Sequence, residues 1–238
     1  MGTKHIQTCL SPALLPLYTL EEKIVVIIDI FRATSSICYG IENGATAIIP
    51  VSEIDECRAY SSTGFLLAAE RNGAVVDGFD FGNSPFSYTK EKVCGKTIVL
   101  TTTNGTHALH QSIKAKKIVI GSFLNLTALC NWLRAQQEDV VLVCAGWKNN
   151  FNLEDTIFAG AVVHHLKDKE DKLDDASVAA EDMYLLAKDD LATYLKKTSH
   201  SERLKKLGIE KDIAFCLQVD ITTSIPILEG EQLIKVVA

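Results

Sequence analysis

The chain has 238 residues, 47% of them hydrophobic, enough to bury one large core or two small ones. Its 24 basic and 30 acidic residues leave a formal charge of -6, with no basic stripe interleaved with aromatics, which argues against a nucleic-acid partner. Its longest apolar run is far short of the ~20 residues needed to cross a bilayer, so no membrane partner is expected either. The amino terminus makes a poor signal peptide, because Pro12 and Pro16 interrupt its Leu-rich stretch and no small-residue cleavage site follows. Gly2 lacks the Ser or Thr that myristoylation wants, since position 6 is Ile6. Seven scattered cysteines without C-x-x-C spacing suit small core residues of a reduced, cytoplasmic protein rather than a zinc or disulfide framework.

In chain order, β-branched apolar runs predict strands over residues 23–28, 47–51, 65–69, 97–100, 117–120 and 140–144. Helical patterns lie between them: 34–43, ended by Gly44 as a left-handed cap, a helix beginning at Ser52, then 106–114 and 126–137. After Asp155 come an apolar helix over 156–166, a charge run over 167–175 expected to be solvated, and a helical stretch over 176–207. Strands over 224–228 and 233–237, turning at Glu229-Gly230-Glu231, close the chain as a hairpin.

This alternation predicts an α/β protein, a layered α/β/α arrangement around a mostly parallel or mixed sheet, forming one catalytic unit over 1–238. A weak echo between residues 24–44 and 140–160, each running strand, carboxylate-bearing loop and helix, leaves open two similar halves with a boundary near 120–140.

Ligands of open α/β sheets sit outside the carboxyl ends of the strands, so the polar clusters that follow strands are the places to look. In the first, Asp29 can hold a divalent cation, the Arg32 fork can grip a phosphate or sulfonate, and Thr34 and Ser35 can cap a helix aimed at an anion. The second, Glu70-Arg71-Asn72-Gly73, supplies Arg71 as a further anion donor. In the third, Thr103, Asn104, Gly105 and Thr106 offer hydroxyls, a close backbone approach and a helix start. The bland alternative there is an Asn-Gly turn feeding a Thr-capped helix. In the fourth, Glu154 and Asp155 could complete a hard-cation site with Asp29, and Mg²⁺ is the fitting ion because it needs few carboxylates; the competing reading is complementarity to a helix dipole. His164-His165 is expected on the surface, and His107 lies beside the Thr cluster.

Familiar phosphatase arrangements are absent. Cys144 is followed six residues on by Asn150, where a cysteine phosphatase needs Arg. Phe31 stands where a haloacid-dehalogenase-type enzyme needs its second carboxylate, and neither a P-loop nor a G-x-S-x-G elbow occurs.

Taken in order, the motifs 26–35 (Val-Ile-Ile-Asp-Ile-Phe-Arg-Ala-Thr-Ser), Glu70-Arg71-Asn72-Gly73, Phe81-Gly82-Asn83-Ser84-Pro85 and Thr102-Thr103-Asn104-Gly105-Thr106 resemble the 2-phosphosulfolactate phosphatase family. Gly121-Ser122-Phe123-Leu124-Asn125, Cys144-Ala145-Gly146 and Leu153-Glu154-Asp155 extend that resemblance over nearly the whole chain. It implies a Mg²⁺-dependent hydrolase of 2-phospho-3-sulfolactate, associated with coenzyme M biosynthesis, and a fold of its own within the α/β class. The expected partner is a small anionic phosphorylated substrate, and the sequence leaves open a homodimer. Asp29 and Arg32 are then the expected catalytic residues. Thr34, Ser35, Arg71 and residues 103–106 are the expected substrate contacts, and Asp29, Glu154 and Asp155 the expected metal ligands. The rival readings are a phosphatase of another phosphorylated hydroxy acid, a non-catalytic anion-binding protein, and a nucleotide phosphotransferase; the last lacks a G-x-G-x-x-G turn.

Overall fold

The computed structural model describes residues 3–168 and 171–236. Gly2, part of the charge run (Lys169 and Glu170) and the end of the last expected strand (Val237) lie outside the described residues. The first half of the chain runs β1 (His5–Cys9), β2 (Ile24–Ile28), α1 (Ala33–Glu42), β3 (Ala47–Pro50), α2 (Ile54–Arg58), β4 (Leu66–Arg71), β5 (Ala74–Val75) and α3 (Lys90–Val93). Then follow β6 (Thr97–Thr101), α4 (Gly105–Gln111), β7 (Lys117–Gly121), α5 (Leu126–Ala135), β8 (Val140–Cys144) and α6 (Leu153–Leu166). The last part comprises β9 (Lys172–Leu173), α7 (Asp175–Ala187), α8 (Leu191–Leu195), α9 (Ser199–Lys206), α10 (Glu210–Cys216), β10 (Pro226–Glu229) and β11 (Gln232–Lys235).

The strands form an eleven-stranded mixed sheet in the order β5-β4-β6-β3-β11-β10-β7-β2-β8-β1-β9. Parallel pairing holds one block, β4-β6-β3, and a second, β7-β2-β8-β1-β9. The carboxyl-terminal hairpin joins them, β10 lying antiparallel to β7 and β11 antiparallel to β3. Three antiparallel steps separate the blocks, so they run in opposite senses. Residues at the carboxyl ends of both blocks, Asp29 after β2 and Glu70 of β4, nevertheless line one cleft.

Strand β2 shows why both faces are covered. Ile24, Val26 and Ile28 enter a core shared with α5, α6 and α7, while Val25 and Ile27 enter the opposite core beneath α1 and α4. The result is the expected layered α/β/α arrangement. Helix α6 lies tight against α7 at Gly160, where a Cβ would stand 1.9 Å from the Ala180 carbonyl oxygen. No helix among the described residues is long and apolar enough to cross a membrane.

The expected apolar strands all form, and Gly44, at φ +90°, ends α1 as expected. Four expectations are corrected or refined. The helix placed at Ser52 begins at Ile54, because Glu53 is its N-cap and Glu56 reaches back to the Glu53 amide at 3.1 Å. The single helical stretch over 176–207 is three helices, since Asp190 and Thr198 cap new starts by accepting the Thr193 and Ser201 amides. The charge run is solvated as expected, with Lys167, Asp168, Lys172 and Asp175 exposed, but it is not all loop: Lys172 and Leu173 pair with β1, and Asp174 caps α7. Strand β1 was not foreseen at all; Gln7 and Thr8 dilute its apolar signal, yet its register beside β8 buries Ile6, Thr8 and Cys9.

Candidate active site

The turn after β2 is built from its own hydroxyls. Thr34 Oγ1 donates to the Asp29 carbonyl at 2.9 Å and accepts the Asp29 amide at 3.1 Å. Ser35 Oγ donates to the Ile30 carbonyl at 3.0 Å. Both residues are fully buried, so these side chains shape the turn and do not line the cleft. Asp155 ties this turn to the one after β8, accepting the Ile30 and Gly146 amides at 2.9 Å each. The echo seen in the sequence is thus a spatial pairing: β2 and β8 are adjacent parallel strands, and one carboxylate bridges the loops that follow them.

Asp29 lies at the centre, 7% exposed. Burial raises its pKa to about 7; the Glu70 and Glu154 carboxylates push the same way, against His200 and the Ala33 amide. Asp155 is also pushed well above the ordinary carboxylate range by burial, then by Glu154 and Asp29, although its two amide donors oppose this. Glu154 is buried in the first turn of α6, bonding His200 Nδ1 through Oε1, while its Oε2 has no partner among the described residues. Asn152 Nδ2 lies 3.3 Å from the same His200 nitrogen.

Gly105 opens α4 directly against Asp29, and a Cβ there would stand 2.9 Å from Asp29 Oδ2 and 2.8 Å from the Ala33 methyl. Glycine is required by that approach. The Thr103 amide and hydroxyl both donate to Glu70, at 3.2 Å, and the Gly73 amide donates to the same carboxylate. Thr102 and Thr106 cap each other, each amide donating to the other's hydroxyl at 3.2 Å. Thr106 therefore serves the helix start. Asn104 does reach the cleft, with its Oδ1 held by the Lys148 amide at 2.9 Å.

Arg32 lines the cleft, but its guanidinium is already paired with Asp212 of α10 and donates to the Gly73 carbonyl at 2.7 Å. Arg71 turns elsewhere: it donates to the Glu70 and Ser52 carbonyls and to Thr101 Oγ1. His107 is exposed and away from the cleft, and His164 and His165 lie at the surface as expected.

The cleft, about 240 Å³, therefore unites Asp29, Arg32 and Asn104 of the expected residues with Glu70 and with groups the sequence reading missed. Those are Trp147 on the turn after β8, and His200, Arg203 and Lys206 on α9. No local signal marks His200, because its partner Glu154 is 46 residues away.

Of the three expected metal ligands, Asp155 already has a backbone amide on each oxygen, whereas Asp29 and the orphaned Glu154 Oε2 keep acceptor capacity. Among the described residues no group of three or more His, Cys, Asp or Glu side chains is placed to hold a metal together. A hard ion that retains most of its water suits such a two-carboxylate set, and a buried carboxylate oxygen without a partner calls for a ligand of this kind.

The cleft at these strand ends thus combines buried carboxylates with the cationic side chains of α9. The family model described as 2-phosphosulpholactate phosphatase matches residues 9–231. The chain is 44% identical over 213 residues to a probable 2-phosphosulfolactate phosphatase of Thermotoga petrophila, covering 90% of this chain and 92% of that protein. It is 43% identical to the probable 2-phosphosulfolactate phosphatase of Thermotoga maritima, with the same coverage. A protein of the same description from Caldanaerobacter subterraneus is 42% identical, covering 89% of this chain and 90% of that protein. The chain belongs to the 2-phosphosulfolactate phosphatase family, and so to the phosphoric monoester hydrolases.

Proposed function

We propose that the protein is a Mg²⁺-dependent phosphatase that converts 2-phospho-3-sulfolactate and water to 3-sulfolactate and inorganic phosphate, a step of coenzyme M biosynthesis. The observation that carries this reading is the cleft itself, where Asp29 and Glu70 share the lining with the cationic side chains of α9, and Glu154 is buried behind His200 with one oxygen unpartnered among the described residues. The descriptions of the relatives supply the substrate. Asp29 and Glu154 would hold the ion, which when bound would neutralise phosphate charge. Burial and its carboxylate neighbours raise the Asp29 pKa to about 7 in the metal-free protein, and a bound cation would hold this carboxylate anionic. His200, tied through Nδ1 to Glu154, keeps Nε2 for the cleft and can move a proton there. Arg32, fixed between Asp212 and Gly73, adds positive charge to the wall without having to reorganise.

Phosphate release from a panel of phosphorylated hydroxy acids, with Mg²⁺ and with EDTA, tests this. The sulfonated substrate should turn over fastest and only with the metal. Faster turnover of an unsulfonated acid would replace the substrate, undiminished turnover in EDTA would remove the ion, and no turnover of any member would leave a binding protein.

A further inference from the structure

The cleft is electrically divided. Its floor carries Asp29 and Glu70, while one wall carries Arg203 and Lys206. Neither of these two cations forms an ion pair among the described residues; Arg203 has only Ser199 Oγ, at 3.4 Å. The Arg203 guanidinium carbon lies 4.0 Å from the Trp147 ring centroid, and Lys148 Nζ lies 4.7 Å from the same centroid. Like charges gathered around one ring without a counter-ion make a site for an anion.

The platform beneath them is rigid. Trp147 and Asn150 exchange two backbone hydrogen bonds at 3.0 Å around Lys148 and Asn149, whose φ values are +51° and +62°. Two consecutive left-handed residues form the tight turn that suits a hairpin, and a left-handed lysine carries strain. Gly146 permits the tight closure, since a Cβ there would fall 2.1 Å from the Asn150 carbonyl oxygen. The same turn fixes Asn104 through the Lys148 amide, leaving the Asn104 NH₂ group as a neutral donor in the cleft.

We propose that Arg203, placed over the Trp147 ring, is the specificity residue of this enzyme, holding the sulfonate of the substrate with Asn104 and Lys206 beside it. This rests on the substrate proposed above. The carboxylate of that substrate shares a carbon with the phosphate ester and stays near the floor, whereas the sulfonate is one carbon further out and reaches the wall. A sulfonate is weakly hydrated and stays charged at every working pH. A guanidinium held over an indole is weakly hydrated too, and it presents a fork that meets two oxygens at once.

The test compares 2-phospho-3-sulfolactate with 2-phospholactate, which has a methyl group in place of the sulfonated carbon. The measurements are kcat/KM for both substrates and calorimetric binding of 3-sulfolactate, in the parent, Arg203→Gln and Arg203→Lys. The parent's preference for the sulfonated substrate should fall roughly 30-fold or more in Arg203→Gln, chiefly through KM, with partial recovery in Arg203→Lys. Affinity for 3-sulfolactate should fall in parallel. An unchanged preference in Arg203→Gln overturns the assignment while leaving the phosphatase reading intact, as does an equal loss on both substrates. If the parent hydrolyses neither compound, the phosphatase reading fails, and 3-sulfolactate binding alone decides the subsite: weaker in the variant supports it, equal in both overturns it.

Discussion

Replacing Asp29 with Asn should stabilise the metal-free protein while removing its activity. An aspartate in an unfolded chain titrates near about 3.9; in the folded protein burial and its carboxylate neighbours move Asp29 to about 7. Between those values the folded state holds a proton that the unfolded state has released, so stability falls as pH rises through this window and the loss is complete above it. Three pH units at 1.36 kcal/mol each set a ceiling of about 4 kcal/mol. Glu70 and Glu154 share the repulsion, so a gain of about 2–4 kcal/mol at pH 8 is expected for Asp29→Asn, vanishing at pH 4. For a chain of this size that is a rise of roughly 5–15 °C in Tm. Calorimetry of parent and variant in EDTA from pH 4 to 8.5 measures it, and turnover in Mg²⁺ should fall by several orders of magnitude. Mg²⁺ should raise the parent's Tm more than the variant's. Parallel Tm curves across the whole pH range would refute the burial argument, and near-parent turnover in folded Asp29→Asn would remove Asp29 from the chemistry.

Five other substitutions, at four positions, separate catalytic from structural roles. Glu154→Ala should raise the Mg²⁺ concentration needed for half-maximal rate, whereas Asp155→Ala, which strands the Ile30 and Gly146 amides, should cost about 2–5 kcal/mol of stability in a denaturant melt. Arg32→Ala leaves Asp212 as an unpaired buried carboxylate, so about 3–5 kcal/mol of stability should be lost, and Arg32→Lys should not restore parent kinetics because a lysine cannot serve Asp212 and Gly73 with one planar fork. Thr106→Val should weaken the start of α4 by about 1 kcal/mol with little change in 3-sulfolactate affinity by calorimetry, since its hydroxyl serves Thr102.

The sequence by itself determined the layered α/β class. Runs such as Ile24–Ile28 and Val140–Cys144 are apolar on both faces, and only a strand covered by helices on both sides buries them. It also placed Asp29, Arg32 and Asn104 at strand ends, because a polar residue that breaks such a run has to leave the core at the strand's mouth. Residues whose partners are local in the chain were harder to judge. Thr34, Ser35 and Thr106 look like ligand donors in one dimension, yet a short hydroxyl side chain finds the nearest backbone group first. Only the tertiary structure decided the rest. The opposed senses of the two parallel blocks follow from a hairpin at the far end of the chain inserting between β7 and β3. His200 meets Glu154 across 46 residues and Arg32 meets Asp212 across 180, on short helices whose sequences carry no mark of the partner. Local propensity acts over a few residues, whereas a buried ionisable group takes whatever counter-group the packing brings to it. The carboxylate floor was therefore half legible in the sequence, and the cationic wall that faces it was not.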